Sequence, residues 1–261
     1  MTWVIGLSRG PIGGGFIASD VRITAGATYY EAVQKIHQLA FYVLGGFSGS
    51  VLLGFDAIRM TQGRWKDSLE QHRLAAPSEV ARHLGRDLRY AGEQGQGNFD
   101  GAHKARGLSL LILGVNPAPR PPTHPAGLPW NPSDAFILGS PRFEPFRTPR
   151  GEACSIGSGS AMPEYRRALS EWLSDPGASY SFPGLAAALA GVRMSAEEAR
   201  PEETVSQSLQ IFRLSTMGKN WGEYLGPDPS VRIARNVGEY LELARVERFC
   251  AADAVALGPS P

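Results

Sequence analysis

Four short strand-like runs precede the first helical pattern in this chain, and that order excludes most architectures before any residue is given a role. Residues 2–8 alternate and are rich in β-formers, 10–15 supply glycine punctuation and 16–19 resume an apolar run, which predicts a hairpin. Residues 35–39 and 41–45 predict two further strands, with the bend between them at Gln38. Apolar residues then recur at helical spacing over 51–60, and again over 78–90 behind a cap region at Pro77 and Ser78. The continuous apolar run 108–113 predicts a doubly covered strand, with 134–138 and 143–146 as its successors. Residues 162–173 and 183–194 form a second helical pair, 208–214 closes with a strand, and the tail holds one more helix over 237–248. Strands, two helices, strands, two helices and a strand suit two antiparallel sheets packed face to face beneath helix pairs. The expected fold is therefore α+β, a four-layer αββα sandwich, and not an alternating βα wind.

With 261 residues the chain can fill one large domain, read here as 1–261 with a core over about 2–214 and a C-terminal extension over 215–261. Residues 115–132 carry seven prolines, which rules out a central strand and predicts an exposed insertion loop. Within it PAPRPPTHP could serve as a polyproline ligand, but a semi-rigid surface loop is the plainer reading. Lys plus Arg total 26 against 25 Asp plus Glu, so no basic surface is implied and nucleic acid is not an expected partner. Two cysteines, Cys154 and Cys250, are too few for a disulfide framework and fit a reducing cytoplasm. No run approaches the ~20 apolar residues of a membrane span, so no membrane association is expected. MTWVIGLSRGPIGGG lacks a signal-peptide pattern and reads as mature structure.

Thr2 follows Met1, and a small second residue permits removal of the initiator. The threonine left behind would carry a hydroxyl and a free α-amine, whose ordinary pKa of about 7.7–8.0 lets it accept the hydroxyl proton near neutrality. Other nucleophile patterns fit less well. Ser48 in GGFSGS is followed directly by Gly49, which breaks the G-x-S-x-G spacing of a hydrolase elbow. The IGSGS segment before a helix could cradle an anion, yet it lacks a Walker lysine and the third glycine of a dinucleotide fingerprint. The five histidines show no metal-ligand spacing, so neither metal nor cofactor is implied.

A series of segments, in order along the chain, resembles proteasome β-subunits and their bacterial relatives among the N-terminal nucleophile (Ntn) hydrolases. TWVIGL resembles the opening strand of that family, ASDVRIT its Asp-x-Arg turn, KIHQL its catalytic-lysine strand and GGFSGS its glycine-rich strand end. SLLILGV, AFILGS and SIGSGSAMPEYRRAL resemble its central strands and the Gly-Ser-Gly turn that runs into a helix, giving coverage of about 2–214. The resemblance implies Thr2 as nucleophile, Lys35 as the cation beside it and Asp20 as the carboxylate that pairs with Lys35. It further implies Gly49 as the oxyanion donor, Ser158 as a proton relay near the Thr2 amine, and Glu203 with Ser206 as the last polar pair. The family has Asp where this chain has Glu203, one methylene longer. Arg22, Thr24 and Phe47 would face substrate.

What the resemblance implies functionally is a threonine peptidase acting on unfolded polypeptide, assembled with copies of itself as stacked rings and served by an AAA+ unfoldase in the cytoplasm. SDVRITAG and the long tail are similar to the Anbu type more than to the compact HslV type. Two alternatives stay open: a ring-forming structural subunit without activity, and an acylase of small amides on the same fold.

Overall fold

The structure is a computed structural model, and it describes residues 3–8, 14–25, 28–96, 99, 107–117, 132–157, 160, 163, 167, 209–214, 221–225, 233–249, 251 and 254–256. The helical segments expected at 162–173 and 183–194 lie outside these residues apart from single positions, as does 118–131 of the insertion.

The protein is mixed α+β with antiparallel sheets. In the first sheet β1 (Val4–Ser8) pairs with β2 (Gly15–Asp20) and with β10 (Ala153–Ile156), and β2 pairs in turn with β11 (Leu209–Leu214), which pairs with β12 (Trp221–Leu225). The second sheet runs β4 (Thr28–Glu31), β3 (Arg22–Ala25), β13 (Ala254–Ala256), β6 (Val43–Ser50), β7 (Leu108–Val115), β8 (Ser133–Gly139) and β9 (Phe146–Arg147). A further strand, β5 (Ile36–Ala40), pairs with β6.

The sheets are joined by an apolar layer. Val4 and Ile17 from the first sheet meet Ile36, Leu44, Leu111 and Leu113 from the second in one buried cluster. The opposite face of the second sheet is covered by α1 (Val51–Arg64), α3 (Pro77–Gln94) and α4 (Val237–Glu247), with short α2 (Lys66–Glu70) beside β5. Ser50 caps α1 by accepting from the Leu53 amide at 3.4 Å. Pro77 begins α3 at its first turn, where its missing N–H costs nothing, although the capping residue is Ala76 and not Ser78.

Three local expectations change. The bend after β5 falls at Phe41–Tyr42, with Tyr42 at φ 61°, while Gln38 lies inside β5 at a register shift. Six strands rather than four precede α1, because β3 and β4 form a hairpin too short to show a period. The extension contributes to the core: Ala234, Tyr240 and Ala244 belong to the cluster beneath α1 and α3, and both sheets receive a strand from beyond residue 214. At the insertion the Asn116 amide donates to the Pro132 carbonyl at 2.8 Å, and the Asn116 side chain bonds Asp134 at 2.6 Å. The loop thus leaves and rejoins the β7–β8 pair at one clamped point.

Candidate active site

The chain crosses from the first sheet to the second at Asp20–Val21–Arg22, between the end of β2 and the start of β3. Val21 is fully buried, and its carbonyl accepts from the amides of Ala32 and Val33 at 3.0 and 3.1 Å, which fixes the crossing. Asp20 caps this corner. Its Oδ2 accepts from the Arg22 amide at 3.1 Å, an Asx-type turn that explains why a short carboxylate sits there.

Asp20 Oδ1 takes two donors. The Trp3 amide lies 3.0 Å from it and Lys35 Nζ 2.8 Å from it, so the two nitrogens are no more than about 6 Å apart. The Lys35 and Asp20 side chains have no exposed surface. Lys35 Nζ also donates to the Arg22 carbonyl at 2.5 Å, so both the carboxylate and the main chain of the crossing hold the ammonium. Burial pulls the Lys35 pKa below its ordinary value, an effect that Asp20 opposes and the Arg22 charge reinforces. The result is an ammonium fixed in position whose proton is loosened by its surroundings.

Two further strands of the first sheet have an end beside this corner. β10 meets β1 with Val4 opposite Ile156, at the Trp3 end of β1, and just beyond it the Ser160 amide donates to the Gly157 carbonyl at 3.0 Å. β11 begins with Leu209 opposite Asp20. Thr2, Ser158, Glu203 and Ser206 themselves lie outside the described residues.

On the second sheet the Phe47 amide donates to the Lys35 carbonyl at 3.2 Å, and Gly49 is two residues further along β6, about 7 Å. Gly49 has φ +99°, a conformation that side chains rarely adopt, and an added Cβ would lie 2.5 Å from the Gly107 carbonyl oxygen.

The residues expected to face substrate divide. Arg22 contributes its carbonyl to Lys35 and sets its guanidinium 5.6 Å from the centre of the Tyr29 ring. Thr24 is buried and stands opposite Tyr29 on β4 and Val255 on β13. Phe47 corrects the expectation of a pocket wall. Its side chain is wholly buried, packs against Gly54 of α1 and forms a three-ring cluster with His37 and Phe55, so it is core. Missing from the expected site were the Trp3 amide and the Arg22 carbonyl, because main-chain groups carry no residue signature, and the strand β13.

His37 adds a pH-dependent stability term one residue beyond Ile36. Burial pushes its pKa down from 6.5 to about 4, partly countered by its 2.8 Å contact with the Gln34 carbonyl. In the window between those values the unfolded chain binds a proton that the folded protein does not, so stability falls as pH drops through it. Between pH 7 and pH 4.5 this group should remove roughly 2–3 kcal/mol. Urea unfolding at the two pH values should show that loss in the wild type and a much smaller one in His37→Phe; equal losses would assign the effect elsewhere.

Cys154 is not a competing nucleophile. Its thiol donates to the Gly6 carbonyl at 3.3 Å, and burial raises its pKa to about 11. Among the described residues no helix is long and apolar enough to cross a membrane. Compared with models of known protein families and with curated proteins, the chain matches none.

Proposed function

We propose that this protein is a threonine-type amide hydrolase of the proteasome-like Ntn class, built on the four-layer αββα sandwich, with Thr2 as its nucleophile after Met1 is removed. The observation that carries this reading is the buried Lys35–Asp20 pair bonded to the amide of Trp3, the residue that follows Thr2. For a hydrolase that uses its own second residue, a fixed cation beside that point of the chain lowers the cost of deprotonating the nucleophile.

The chemistry follows from those parts. The Thr2 hydroxyl oxygen attacks the substrate carbonyl carbon while its proton passes to the α-amine, and Lys35 favours the deprotonated forms of both. The oxyanion that forms on the carbonyl is met by the main chain near Gly49. Collapse expels the amine leaving group, which takes the proton, and leaves an ester on Thr2. Water activated by the same amine then hydrolyses the ester and restores the hydroxyl. Ser158, Glu203 and Ser206 are proposed to hold the amine; in support, β10 ends with Ile156 opposite Val4 and β11 begins with Leu209 opposite Asp20. Polypeptide is the proposed substrate, with stacked rings of this chain and an AAA+ unfoldase as cytoplasmic partners.

A peptide epoxyketone, which needs a hydroxyl and an amine on one residue, tests the reading. Intact mass should show Met1 absent and one adduct per wild-type chain, and Thr2→Ala should show none. An adduct that survives Thr2→Ala moves the nucleophile elsewhere, and retention of Met1 leaves the structural-subunit reading in its place.

A further inference from the structure

We propose that Ala254–Ala256 is an internal occupant of a peptide-strand slot between β3 and β6, and that an external polypeptide strand takes the same slot when this segment leaves. β13 pairs antiparallel on both sides, with Ala254 opposite Ala25 and Val255 opposite Thr24 on β3, and with Val255 opposite Ser50 and Ala256 opposite Gly49 on β6. The other edge of β3 is taken by β4. The other edge of β6 is taken by β7, and β5 covers only its Val43–Gly46 portion on the β13 side. Withdrawal of three residues would therefore leave two facing rows of unpaired N–H and C=O groups about 9–10 Å apart, the spacing that one extended strand fills. Recognition there is by main chain, so the slot takes an unfolded segment of almost any sequence.

Direction matters as much as spacing. Because the pairing is antiparallel, each step from Ala254 to Ala256 moves back along β3 from Ala25 toward Arg22, whose carbonyl holds Lys35. The occupant thus runs, in its C-terminal sense, toward the Lys35–Asp20 pair. An external strand bound the same way would present a backbone carbonyl to that centre. That this strand is a substrate rests on the hydrolase reading, whereas the exchange of strands does not.

The chain leading to the occupant is tethered. Tyr240, fully buried in α4, donates its hydroxyl to the Ala251 carbonyl at 2.8 Å, and Phe249 packs at a tilt against Tyr30 at 4.5 Å between ring centres. These contacts hold the approach to β13. The strand itself is three residues, and Pro259 and Pro261 beyond it have no N–H to extend the ladder.

The test uses the full chain and a fluorescent peptide, AADAVALGPSP, matching residues 251–261. Val255→Pro interrupts the ladder of the occupant, and Tyr240→Phe removes only the tether. Peptide binding, read by anisotropy, should be saturable and at least tenfold tighter in Val255→Pro than in the wild type, and roughly fivefold tighter in Tyr240→Phe. Hydrogen exchange in Val255→Pro should lose protection at 23–25 and 49–50 and keep it in β7. A folded Val255→Pro that binds no better than the wild type overturns the proposal; should that variant fail to fold, wild-type binding by Tyr240→Phe overturns it. Tight peptide binding without epoxyketone labelling would sink the hydrolase reading and leave this one standing, and labelling without enhanced binding would do the reverse.

Discussion

Lys35→Met should lower stability by roughly 3–5 kcal/mol and slow epoxyketone labelling by about a thousandfold. Methionine keeps the length of the side chain, so the loss is of charge and not of volume. Asp20 would retain the Trp3 and Arg22 amides but lose its cation, in a place with no exposed side-chain surface. The Arg22 carbonyl would lose the 2.5 Å bond from Nζ. An uncompensated charge in such surroundings is expensive because the cost of its desolvation is no longer offset by a paired ammonium. At 2–4 °C per kcal/mol for a chain of this size, the midpoint of thermal unfolding should fall by about 10 °C. The double variant Asp20→Asn, Lys35→Met separates the two roles. Stability should largely return, because a neutral pair needs no counter-charge, while labelling stays as slow as in the single variant. A single variant that labels at the wild-type rate would remove Lys35 from the chemistry.

Gly49→Ala should lower stability by about 2–4 kcal/mol, although it adds one methyl group. The new Cβ would meet main chain on the neighbouring strand: the Gly107 carbonyl oxygen at 2.5 Å, its carbon at 3.1 Å and Leu108 Cα at 3.1 Å. That carbonyl cannot move freely, since it accepts the Ser50 amide at 3.0 Å at the start of α1. The φ of +99° adds strain even where room is made. Gly92→Ala is the control. It lies in α3 with nothing within 4 Å of an added Cβ, so alanine should stabilise it by up to about 1 kcal/mol through helix propensity. Opposite signs in urea unfolding would show that geometry, and not residue type, decides; a neutral Gly49→Ala would mean that β6 relaxes there. Labelling should also fall in Gly49→Ala, because relief of the clash shifts the main chain meant to meet the oxyanion.

Local patterns in the sequence determined much of this protein. The helical spacing over α1 and α3, the apolar run of β7 and the helix α4 each act over a few neighbouring residues, and the structure shows them with shifts of a few positions at their ends. Asp20 and Lys35 could be singled out because their residue types match a known chemistry in order along the chain. Tertiary structure alone decided what those side chains touch. It put Phe47 into the core against Gly54, made Arg22 serve through its carbonyl, and set three residues from beyond α4 between β3 and β6. The physical reason is that strand pairing and main-chain bonding join groups every residue possesses. Amino-acid identity cannot mark the partner, and only the folded chain, with its edges filled and its crossings buried, selects which backbone meets which.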